Sequence, residues 1–99
     1  MAVRYLQMAQ KQFRARICGH VQGVGYRFFA RETANQFGIT GYVRNLPDGS
    51  VEVLAESEED VLKEFLELLK DGPRSARVTD AEVTWEEPSE EYDHFLVKP

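Results

Sequence analysis

The sequence predicts an α+β sandwich, in which one antiparallel sheet carries two helices on a single face and a short extra strand follows at the C-terminal end. Three observations lead there. Segments with apolar period two and segments with helical period alternate as strand, helix, strand, strand, helix, strand. A Leu46-Pro47-Asp48-Gly49 turn joins the two middle strands into a hairpin. Each strand offers only one apolar face, which one covering layer can bury.

Met1 to Gln12 is mixed and weakly patterned, and reads as a loosely docked arm before a domain spanning residues 13–99. Phe13, Ala15 and Ile17 then alternate with Arg14, Arg16 and Cys18 in a half-buried strand. After a glycine-rich turn, Tyr26, Phe29, Ala30, Thr33, Ala34 and Phe37 recur at helical spacing, and Gly38 suits a left-handed stop. Ile39 to Asn45 forms the second strand, and Val51, Val53 and Ala55 mark the third. Ser57 with Asp60 resembles a capping box for a second helix, whose stripe is Val61, Leu62, Phe65, Leu68 and Leu69, ended by Gly72-Pro73. Ala81, Val83 and Trp85 alternate in a fourth strand; an acidic connector, Glu86 to Asp93, leads to a closing strand near His94 to Lys98.

The order β-α-β-β-α-β is the ferredoxin-like split βαβ arrangement. Right-handed crossovers set the first and third strands side by side, the second outside the third and the fourth outside the first. The turns after the first and second strands then share one end of the sheet. Two segments apart in sequence become neighbours there.

Composition narrows the function. The chain has 99 residues, 42% of them hydrophobic and 29% charged, enough for one core. A net charge of −5 argues against gripping a nucleic-acid backbone. Cys18 is the only cysteine, which excludes an intrachain disulfide or a cysteine zinc site and suits a reducing, cytoplasmic setting. No apolar run is long enough for a membrane span.

The chemistry lies in two motifs. Gly19-His20-Val21-Gln22-Gly23-Val24-Gly25-Tyr26-Arg27 is a glycine loop running from a strand into a helix. Glycines let a ligand approach the backbone, and the helix start adds unpaired N–H donors and positive partial charge. Arg27 sits in the first turn, where its planar fork can grip two oxygens of one phosphate. Gly41-Tyr42-Val43-Arg44-Asn45-Leu46-Pro47-Asp48-Gly49-Ser50-Val51 places the Asn45 amide at a strand end, where it can orient a water. The loop offers no metal cluster, Ser-His-Asp set or cysteine–histidine pair. Such a site suits a phosphate anhydride whose leaving group departs unaided, such as a carboxylate with a conjugate-acid pKa of about 4.

These residues match a known pattern. Ile17 through Arg27 closely resembles the first signature of the acylphosphatases, and Gly41 through Val51 resembles the second; the likeness runs from about Phe13 onward. The resemblance implies a monomeric, cytoplasmic, cofactor- and metal-free hydrolase of small acyl phosphates, with no nucleic-acid or membrane partner. It implies phosphoryl binding by Arg27 and by loop amides across Val21, Gln22, Gly23, Val24, Gly25 and Tyr26, and a water positioned by Asn45. Two positions depart from the pattern: Tyr26 stands where phenylalanine is usual, and Ser57 where glycine is. The alternative is a noncatalytic ferredoxin-like anion-binding or regulatory module. His20 reads as solvent-facing and His94 as structural; Cys18 reads as a small apolar residue.

Overall fold

The computed structural model describes residues 10–99. Its elements are β1 (Gln10–His20), α1 (Tyr26–Phe37), β2 (Thr40–Asn45), β3 (Val51–Glu58), α2 (Glu59–Asp71), β4 (Arg77–Glu86) and β5 (Phe95–Val97). The sheet order is β4-β1-β3-β2-β5, so the four long strands take the expected places. Both helices cover one face, α1 over β2 and β5, and α2 over β1, β3 and β4. Among the described residues no helix is long and apolar enough to cross a membrane.

Alternation in β1 and β3 sets the two faces. Phe13, Ala15, Ile17, Val51, Val53 and Ala55 are buried beneath the helices. Phe13 stacks on Phe65 of α2 with ring centroids 6.2 Å apart, and Phe65 meets Phe95 edge-on at 6.0 Å. The helix stripe departs from expectation at three positions: Leu66 joins Leu62, Phe65 and Leu69 in the core, while Val61 is half-buried and Leu68 is exposed. The spacing 62, 65, 66, 69 follows one helical face, and Leu68 falls at its edge. Gly38 ends α1 with φ 69°, as a left-handed stop requires.

Two other expectations need correction, and the short fifth strand adds a detail. The four long strands pair antiparallel as expected, and the sheet as a whole is mixed because β5 pairs parallel to β2 through Gly41–Phe95, Tyr42–Leu96 and Val43–Val97. The connector carries the chain from the β4 edge to the β2 edge, with Ser89 N–H bonded to Gln12, Glu90 N–H to Glu56 and the Tyr92 ring against Tyr42. Next, β1 starts at Gln10, so Gln10, Lys11 and Gln12 belong to the sheet rather than to the arm; they pair with Glu58, Ser57 and Glu56. Polar side chains hid a ladder that backbone bonds hold. The rest of the arm lies outside the described residues. Finally, Ser57 lies within β3 and is no cap; Glu58 precedes the helix without a side-chain cap bond. Since Ser57 pairs with Lys11, it sits at the opposite end of the sheet from His20.

The uncovered face carries an ion network. Glu52 accepts from Arg44 Nε at 2.6 Å, Tyr42 OH at 2.9 Å and Arg14 Nη1 at 3.4 Å, and Arg14 Nε also donates to Glu86 at 2.9 Å. Burial alone would raise the Glu52 carboxyl, but these hydrogen bonds outweigh it and hold it below the ordinary range. The Arg14 hydrogen bond likewise lowers Glu86. A carboxyl that binds protons more weakly when folded stabilises fully above its unfolded pKa of about 4.3 and loses that contribution as pH falls through the depressed folded value. Thermal unfolding measured from about pH 7 to pH 3 should therefore show a shallower acid decline in Glu52→Gln than in the wild type. Parallel curves would remove Glu52 from the acid response.

Candidate active site

The end of β1 and the start of α1 are joined by five residues, Val21 to Gly25, held from three sides. Val21 is buried in the core. Gln22 Nε2 donates to Leu46 O at 2.8 Å and Ser50 O at 2.7 Å, tying the loop to the β2–β3 turn. Val24 O accepts from Ser75 Oγ at 2.7 Å, tying it to the segment before β4. A loop anchored this way is fixed in shape before any ligand arrives.

The glycines divide into two kinds. Gly23 (φ 76°) and Gly25 (φ 80°) face open space where a Cβ would stand, and both line a cavity of about 270 Å³. Gly19 faces the neighbouring strand instead. It sits at a bulge of β1 against β4, where a Cβ would lie 2.0 Å from Arg77 O. Gly25 also starts α1 in a left-handed conformation, and the first turn holds no acidic side chain. The unpaired N–H groups and positive end of the helix are left without an internal anion.

Arg27 and Asn45 line this same cavity. Topology brings them together: β1 and β2 both run antiparallel to β3, so the loop after β1 and the end of β2 share one rim. Arg27 Nη1 donates to Lys98 O at 2.8 Å, and Lys98 N–H donates to Val43 O at 2.9 Å, so the segment after β5 steadies the guanidinium against β2. That bond uses one of five donors. Salt bridges among the described residues leave Arg27 out. The Asn45 Oδ1 atom is buried and has no hydrogen-bond partner among the described residues. A buried acceptor left empty costs about 1–3 kcal/mol, which a ligand or water donor would recover.

Of the loop residues expected at the phosphate, Val21, Gly23, Gly25, Tyr26 and Arg27 line the cavity. Gln22 and Val24 do not; they are the anchors described above. The Tyr26 ring is core, its hydroxyl donating to Leu69 O at 2.7 Å, and burial pushes its pKa up. Sequence reasoning missed Phe28, Arg31 and Val97, which complete the wall. Phe28 and Arg31 were within reach, since Arg31 follows Arg27 at i+4. Val97 and Lys98 depend on the pairing of β5, which leaves no local mark. His20 is exposed, and His94 accepts from Gly41 N–H at 3.0 Å through its carbonyl. Cys18 is half-buried, with Arg16 Nη1 3.1 Å from its Sγ.

The family model described as Acylphosphatase matches residues 13–97. The chain belongs to the acylphosphatase family. An acylphosphatase of Thermus thermophilus is 55% identical over 73 residues, covering 74% of this chain and 83% of its own length. One from Caldanaerobacter subterraneus is 47% identical over 88 residues, covering 89% and 98%. The crystal structure of acylphosphatase from Bacillus subtilis aligns with a TM-score of 0.86 at 38% identity, over 90% of this chain and 99% of that one. Within this acylphosphatase frame, tyrosine at position 26 keeps its ring in the core and adds a bond to α2.

Proposed function

We propose that this chain hydrolyses the carboxyl–phosphate bond of small acyl phosphates, releasing a carboxylate and inorganic phosphate. Arg27, the loop amides and the start of α1 bind the phosphoryl oxygens. Asn45 Oδ1 accepts a hydrogen from the attacking water and so aims its lone pair at phosphorus. The water oxygen forms the new P–O bond as the carboxylate leaves with the electron pair of the old one. Both hydrogens of the water end on the phosphate produced, as dihydrogen phosphate, which then equilibrates with solvent. A good leaving group makes strong general-acid help unnecessary, so alignment and fixed charge supply most of the acceleration.

The observation that carries this reading is the unpartnered Asn45 Oδ1 on a cavity shared with Arg27. All the side chains invoked come from one chain, which suits a monomer, and a fold that needs no disulfide suits the cytoplasm.

Two measurements test it. Chelator-treated protein should release phosphate from acetyl phosphate at the untreated rate. Asn45→Ala should lower kcat by about 10²–10³-fold while inorganic phosphate still inhibits with nearly the wild-type constant. A wild type that binds phosphate without turnover would make this a binding module. An Asn45→Ala enzyme with near-normal kcat would remove the water-positioning role.

A further inference from the structure

We propose that Arg31 is a specificity-determining residue that reads a second anionic group at the acyl end of the substrate, making short acyl phosphates with a distal carboxylate the preferred class. This rests on the hydrolase reading above and adds the nature of the acyl group to it.

Among the described residues, the cavity wall holds two guanidiniums, Arg27 and Arg31, and no acidic side chain. The chain as a whole has 17 acidic against 12 basic residues, so this concentration of positive charge runs against its average. A single phosphoryl group does not need both. Arg27 stands in the first turn beside the loop, while Arg31 lies one turn further on, about 6 Å along the axis and on the same helix face. Space agrees with this. A phosphoryl group takes the room of two or three waters, roughly 60–90 Å³, well under the 270 Å³ present.

The Arg31 guanidinium is placed but not consumed. It lies over the Phe28 ring, 5.3 Å from the centroid, and Phe28 is 59% exposed on the cavity wall. Its salt bridge among the described residues is a 3.5 Å contact from Nε to Glu32, which leaves the two terminal nitrogens for a ligand. Phe28 and Val97 line the same cavity and give methylene groups apolar contacts there. The helical rise between the two positions matches a four-carbon chain. Five bonds of roughly 1.5 Å, laid out in zigzag, put the far carboxylate carbon about 6 Å from phosphorus.

The test compares succinyl phosphate with butyryl phosphate, which share a chain length and differ in the distal carboxylate. The wild type should favour succinyl phosphate about tenfold in kcat/KM, mainly through KM, and raising salt from about 0.05 M to about 0.5 M should erode the preference. Arg31→Gln should bring the ratio close to one. Arg31→Lys should keep part of it, since the charge survives without the fork. A merely structural role would shift both substrates alike and leave the ratio in place. Turnover of both substrates with a ratio near one in the wild type, or unmoved in Arg31→Gln, overturns this inference alone. Turnover of neither by the wild type overturns the hydrolase reading and this inference with it.

Discussion

Arg27→Ala is expected to lower kcat/KM for acetyl phosphate about a thousandfold or more, while the fold survives. The loss corresponds to about 4 kcal/mol of transition-state stabilisation, the scale of removing a charged donor from a preorganised anion site. Little offsets it, because the other cation on the cavity wall, Arg31, is a helical turn away. The cost to stability is small by comparison. Among the described residues the Arg27 side chain makes one hydrogen bond, to Lys98 O, and losing such a bond costs about 1 kcal/mol. Arg27→Lys separates charge from shape: a point charge cannot hold two oxygens in one plane, so a loss of about a hundredfold is expected. Steady-state kinetics beside a thermal unfolding curve check both. An alanine variant within tenfold of wild-type kcat/KM would mean that the phosphoryl group is held elsewhere.

Gly41→Ala is expected to damage the fold itself, by about 3–5 kcal/mol. Gly41 has φ 140°, and a Cβ there would stand 1.9 Å from Leu54 O, a backbone atom of the neighbouring strand. No rotamer can relieve such a clash; β2 would have to move off β3. The strand that moves is also the one that ends in Asn45 and pairs with β5 on its other edge. A domain of this size has about 5–15 kcal/mol of stability, and each kcal/mol is worth about 4–8 °C in Tm. A fall of more than 10 °C is therefore expected. Trp85, the only tryptophan, packs edge-on against Phe13 at 5.6 Å and reports the unfolding by fluorescence. Gly49→Ala is the matched comparison. Gly49 also has a positive φ, 95°, but a Cβ there meets open space, so only conformational strain of about 1–2 kcal/mol applies. If the two variants melted together, the close strand approach would not be what position 41 requires.

The motifs were legible because each follows a local rule. Arg27 falls in the first turn of a helix that a glycine loop introduces, and Asn45 falls at the end of a strand just before proline turn chemistry. Both were found at the cavity. The glycine loop was legible only in part. Positions 19, 23 and 25 look alike in sequence, yet Gly23 and Gly25 open onto the cavity while Gly19 makes room for β4. Strand pairing, remote in sequence, separates them. Ser57 misled for a related reason: next to an acidic helix start it has the chemistry of a cap, but its backbone is committed to the ladder with Lys11. Gln10 to Gln12 were hidden because hydrogen bonds between backbones do not need apolar side chains.

By itself the chain determined the number and order of its elements, the single buried face of each strand, and the two residues, Arg27 and Asn45, that line one cavity at the rim. These follow from periodicity, turn residues and the handedness of crossovers, all of which act over short stretches of chain. The tertiary structure decided the rest. It placed β5 parallel to β2, brought the Lys98 carbonyl to Arg27, pinned the loop through Gln22, and set Arg31 on a cavity wall that holds no acidic side chain among the described residues. Contacts between segments dozens of residues apart arise only once the core has set the distances between strands and helices, and no local pattern encodes those distances.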